Sequence, residues 1–73
     1  MTAEEVYAAA PATVRSKILL TIQTKGPAYN TAYAWMTGQR RPKSYVRPLV
    51  AAAINEATGE NHTEEELWPE PEA

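Results

Sequence analysis

The sequence predicts an all-α fold, a compact bundle of about five short helices in one domain. Three observations predict it. Apolar residues recur at helical spacing in the longer segments, as with Val14, Ile18, Leu19 and Ile22. Two Thr-x-x-Glu runs, Thr2 to Glu5 and Thr63 to Glu66, read as capping boxes that open helices. No segment alternates apolar and polar residues with the two-residue period of a strand. With 73 residues the chain makes one domain, assigned to 1–69, followed by an acidic frayed tail at 70–73.

Each element follows in order. The first capping box starts a short helix that runs to about Ala9, where Pro11 interrupts it. Thr13 reads as the N-cap of a second helix over Val14 to Lys25. Gly26-Pro27 ends it, since glycine accepts a left-handed backbone and proline cannot continue the hydrogen-bond ladder. A third helix spans Ala28 or Tyr29 to Thr37 and stops at Gly38. Gln39 to Lys43 is a basic loop containing Pro42. Ser44 reads as the cap of a fourth helix over Tyr45 to Ala57, with Val46, Leu49, Val50, Ala53 and Ile54 as its apolar stripe and Gly59 as its stop. The second capping box opens a last turn of helix carrying Leu67 and Trp68, which Pro69 closes.

The formal net charge of -2 conceals a segregation of charge. All seven basic residues (Arg15, Lys17, Lys25, Arg40, Arg41, Lys43 and Arg47) lie in the middle of the chain, and no Asp or Glu occurs from Val6 to Asn55. The nine acids sit at the two ends. A local basic field attracts polyanions whatever the net charge is. There is no cysteine, so disulfides, thiolate metal sites and cysteine nucleophiles are excluded. With no Asp, one His and glutamates only near the termini, the residues for acid–base or nucleophilic catalysis are missing, and no glycine-rich phosphate loop exists. The reading is therefore of a non-enzyme without cofactor or metal. His62 stands without a partner ligand in a polar loop. No apolar run spans a membrane and the N-terminus is not a signal peptide, so a cytoplasmic protein is expected.

The informative stretch is Ile18 to Lys43. Two helices meet at a tight Gly26-Pro27 turn, and Ala32, Trp35 and Met36 can pack the second on the first. Tyr29, Asn30, Tyr33, Ala34 and Thr37 then fall on its outer side. Gly26, Ala32-Tyr33-Ala34-Trp35 and Gly38-Gln39-Arg40-Arg41-Pro42, with a later Glu66-Leu67-Trp68-Pro69, resemble the Cro/CI-type (XRE-like) phage-repressor helix-turn-helix family. The resemblance covers nearly the whole chain and is specific from Gly26 to Pro42. It departs at Ile22, where the family often has alanine, at Lys25, usually apolar, and at Pro27, usually a small aliphatic.

The resemblance implies a lambda-repressor-like helix-turn-helix and a transcriptional regulator of double-stranded DNA. Tyr29, Asn30, Tyr33 and Thr37 would then read bases in the major groove. Asparagine pairs with adenine, and a tyrosine ring lies against a thymine methyl. Lys25, Arg40, Arg41 and Lys43 would hold phosphates. Alternatives stay open at single positions: Tyr29 and Tyr33 as core cover, Asn30 as a helix N-cap, Arg15 and Lys17 as solvated surface. Trp35 is read as core. Trp68 packs back with Leu67 or anchors a second copy, so a homodimer is allowed for, and no small-molecule ligand is expected. The rival reading is an interaction adaptor that keeps the fold, lacks DNA binding and docks an acidic protein through its basic middle.

Overall fold

The computed structural model describes residues 1–69, and all regular structure among them is helical: α1 (Ala3–Ala9), α2 (Ala12–Thr24), α3 (Tyr29–Met36), α4 (Arg47–Thr58) and α5 (Glu64–Leu67). The acidic tail expected at 70–73 lies outside the described residues. α1 opens on the full capping box. The Thr2 amide donates to Glu5 Oε1 at 2.7 Å, and the Glu5 amide donates to Thr2 Oγ1 at 3.3 Å. The helix turns Ala3 and Val6 inward.

α2 begins two residues before the expected Val14. Its N-cap is Pro11, not Thr13, and no side chain caps it. The residue before a proline is driven out of the helical region. That restriction falls on Ala10, which is extended, so the chain turns at Ala10-Pro11 and enters α2 at once. Ile18, Leu19 and Ile22 form its buried stripe. At its end the Lys25 and Gly26 amides donate back to Ile22 O and Gln23 O, at 3.0 and 3.1 Å. Gly26 then takes φ +127°, a backbone state that a Cβ disfavours, and the chain reverses into α3.

α3 buries Ala32 and Met36, with Trp35 half-buried against the core. α4 starts at Arg47 rather than Tyr45, and Ser44 does not cap it. Proline explains the shift. A start at Tyr45 would put Pro48 fourth in the helix, where its amide should make the first helical hydrogen bond. A start at Arg47 puts it second, where an amide has no partner in any case. That first bond comes instead from the Val50 amide to Val46 O, at 3.2 Å.

α5 is half of a capping box. Thr63 Oγ1 accepts from the Glu66 amide at 3.2 Å, but the Glu66 carboxylate does not return to Thr63. It accepts instead from the Met1 ammonium and meets His62 Nδ1. Leu67 and Trp68 lie in the core, so Trp68 is a packing residue and is not exposed as an anchor for a second copy. Its indole N–H is buried without a partner among the described residues.

The core joins Ile18 and Ile22 of α2, Met36 of α3, Val50 and Ile54 of α4, and Leu67, all wholly covered. α2 packs on α4 and α3, while α1 lies against α3. No charged side chain is buried among the described residues. The radius of gyration, 11.1 Å, matches the value of about 11 Å for a folded chain of this length. No helix among the described residues is long and apolar enough to cross a membrane.

Candidate nucleic-acid interface

Ala32 and Met36 face the core, while Tyr29, Asn30 and Tyr33 of the same helix are exposed. Tyr29 is 51% exposed and Tyr33 41%, so neither covers the core. Their rings stack, with centroids 6.1 Å apart and planes inclined by 15°. Tyr7 of α1 lies close enough to feel both phenols. Its own hydroxyl titrates above the usual phenol value, chiefly because burial disfavours the phenolate, with Tyr33 and Tyr29 adding and Arg15 opposing.

Ala28, not Asn30, is the N-cap of α3. Ala28 offers no side-chain acceptor and the first turn holds no acid. The opening amides of α3 are therefore uncapped by any side chain, and the positive end of its dipole is not neutralised locally. The Asn30 amide group has no hydrogen-bond partner among the described residues. Thr37 differs from the other three outward candidates. It is the C-cap residue, and its hydroxyl donates to Tyr33 O at 2.8 Å and accepts from Gln39 Nε2 at 3.1 Å. That hydroxyl is engaged within α3 and its exit.

The basic loop is tied to the end of α3. The Gln39 and Arg40 amides both donate to Ala34 O, at 2.9 and 3.2 Å. Gly38 takes φ +80°, and the Glu4 carboxylate packs directly on it, so a Cβ there would collide with Oε1. The positive φ is what favours glycine here, since the Glu4 carboxylate ends a flexible, exposed side chain that can move aside.

The four expected phosphate binders divide. Arg40 and Lys43 are exposed and form no ion pair with another described residue. Lys25 Nζ lies 3.4 Å from Glu56 Oε2 of α4. Arg41 Nη2 donates to Trp68 O and Pro69 O, both at 2.9 Å, and so fastens the chain beyond α5 to the loop. Arg47, not among the candidates, has a similar part: its Nε donates to Pro42 O at 3.0 Å. Pro42 is itself buried, which anchors the loop in the protein.

Sequence reasoning also missed the surroundings of His62. Its Nε2 lies 2.8 Å from Glu60 Oε1 and its Nδ1 2.8 Å from Glu66 Oε2. Hydrogen bonds to Glu60 first and Glu66 second raise its pKa. His62 and Glu60 precede α5, so helical spacing gave no signal for this pairing. No group of three or more His, Cys, Asp or Glu side chains placed to hold a metal ion occurs among the described residues.

No protein-family model, no curated protein and no solved structure matches the chain.

Proposed function

We propose that the chain is a small transcriptional regulator that binds double-stranded DNA. In this reading α2, the turn at residues 25–28 and α3 act as a helix-turn-helix. α3 enters the major groove and the loop Gln39 to Lys43 lies on phosphates. One observation carries the proposal. α3 turns Tyr29, Asn30 and Tyr33 outward from a start without acid or side-chain cap, inside a stretch holding every Lys and Arg and no carboxylate from Val6 to Asn55. Such a surface offers donors and positive charge to a polyanion, against the nearby carboxylates of Glu4 at Gly38 and Glu56 at Lys25. Arg40 and Lys43 are the primary phosphate contacts. Arg41 adds its charge while shaping the loop, and Lys25 acts in competition with Glu56. Thr37 orders the exit of α3 more than it reads bases. A cytoplasmic dimer on a two-part site completes the proposal, since a domain this small gains both stability and register from a second copy.

The test is titration of mixed-sequence duplex at two salt concentrations. If about five phosphates are neutralised, log K falls against log salt with a slope of about -4 to -5. Arg40→Glu/Lys43→Glu should make the slope shallower by about two, because each position holds about one phosphate. Absence of salt-dependent binding by the wild type at low ionic strength refutes the proposal.

The adaptor reading draws on a different observation. Tyr45 is 77% exposed and adds to Tyr29 and Tyr33 a third outward phenol, a residue type enriched in protein interfaces. Binding to an acidic polypeptide, with none to duplex DNA at the same salt, would select it.

A further inference from the structure

The outward face of α3 carries no guanine reader. The bidentate partners of guanine O6 and N7 are arginine and lysine, and α3 contains neither from Tyr29 to Met36. Lys25, before the helix, is drawn to Glu56, and Arg40, after it, belongs to the loop. What α3 presents is two phenol rings and one carboxamide. The rings are exposed and already stacked, so little side-chain entropy remains to be lost when they are covered. Each offers an apolar surface that loses water only against another apolar group, and the 5-methyl of thymine is the apolar group of the major groove. Asn30, without a partner among the described residues, matches adenine N6 and N7 in the same groove.

The ring spacing adds a distance. Centroids 6.1 Å apart lie between one and two base-pair steps of about 3.4 Å each. Two rings held at that separation meet methyl groups on neighbouring or next-neighbouring pairs, and on none further apart.

Resting on the DNA-binding reading, we propose that Tyr29 and Tyr33 act as a preformed pair of thymine-methyl contacts, so that the recognised half-site holds two thymines inside one three-base-pair window, with an adenine alongside for Asn30. Specificity is therefore A·T-directed and methyl-dependent.

The full chain is used to select duplexes from a random pool, and the selected site is rebuilt with deoxyuridine in place of the two thymines. Deoxyuridine keeps the base pairing and removes only the methyls. Expected are a T-containing window in the selected consensus and a loss of about fourfold per methyl, about fifteenfold for both, from the burial of one methyl group each. Tyr33→Ser should abolish the preference at one of the two thymines, and Tyr33→Phe should keep it. A G·C consensus in the window, or equal affinity for the thymine and deoxyuridine duplexes, overturns the inference while duplex binding itself stands. Failure to retain any duplex at low salt removes the DNA-binding reading, and this inference with it.

Discussion

The two terminal helices and the three between them start in opposite ways. α1 and α5 open on a threonine whose hydroxyl accepts from the third helical amide, and both hold acids in the first turn: Glu4 and Glu5 in one, Glu64, Glu65 and Glu66 in the other. α2, α3 and α4 open on Pro11, Ala28 and Val46, with no side-chain cap and no acid in the first turn. The ends of the molecule therefore satisfy their own amides and dipoles. The middle leaves both to water or to an external acceptor. Every lysine and arginine lies in or beside the three uncapped helices, and Glu56 of α4 is the one acid within them. Ends closed on themselves hold the bundle together, and an open middle is available to bind.

The largest effect that tests this division is structural. Trp68 is 6% exposed and Leu67 1%, which makes α5 part of the core despite its single turn. Trp68→Ala should cost about 3–5 kcal/mol, the range for a buried aromatic truncated to alanine. That is a large share of the roughly 4–11 kcal/mol expected for a domain of this size. A chemical denaturation midpoint left in place by this change would show that α5 does not help to hold the bundle together.

A smaller and sharper effect comes from giving a middle helix the start of a terminal one. Ala28→Asp supplies α3 with a cap and an anion at its positive end, and should stabilise the fold by about 0.5–2 kcal/mol. The same carboxylate would face any phosphate approaching α3, so duplex binding should weaken and the salt slope become shallower by about one. Thr2→Ala is the counterpart: it should cost about 1 kcal/mol of stability and leave binding unchanged. Thermal melts beside duplex titrations read both variants. A gain in stability without loss of binding at Ala28→Asp would mean that the N-terminus of α3 does not face the ligand.

Much of this architecture is legible in the residues themselves because it is local. Apolar spacing marks the buried stripe of α2, Gly26-Pro27 and Gly38 bound α3 to within one residue, and Thr2 with Glu5 announces its own cap. Where reading fails, the deciding partner is distant or has two options. Ser44 and Thr13 are plausible caps by type, but Pro48 and Pro11 set the helix starts. Glu66 has the position to complete a box with Thr63, and the Met1 ammonium, arriving from the far end of the chain, helps draw it away. The basic residues show the same limit. Nothing near Arg41 in sequence predicts that Trp68 and Pro69 present carbonyls to it, or near Lys25 that Glu56 stands opposite. Composition counts seven cations. Only the fold separates Lys25, Arg41 and Arg47, which are tied to the protein, from Arg40 and Lys43, which point to solvent.

The smallest expected effect lies in the closed end of the molecule, at His62. Its backbone is clamped by Asn55, whose Oδ1 accepts from the His62 amide at 2.7 Å and whose Nδ2 donates to its carbonyl at 3.0 Å. The ring is thereby held between two carboxylates. A neutral imidazole has one N–H, so only the imidazolium donates to Glu60 and Glu66 together. Its pKa is accordingly raised above the ordinary value of about 6.5, by Glu60 first and Glu66 second, against a smaller opposing contribution from burial. Because the folded value exceeds the unfolded one, the stability it contributes is fully present below about pH 6.5 and is lost as pH rises through the folded pKa. Glu66 works in the other direction. Its pKa is lowered, first by His62 and then by the Met1 ammonium, so its contribution is present above about pH 4.5 and is lost as pH falls through the folded value. The two windows overlap between these limits. The difference in thermal midpoint between wild type and His62→Asn should be greatest near about pH 5.5, shrink by about pH 8, and diminish with added salt because Glu60 and Glu66 are exposed. Midpoints that stay parallel from pH 5 to 8 would show that the His62 bridge contributes nothing, leaving the caps of Thr2 and Thr63 to close the ends alone.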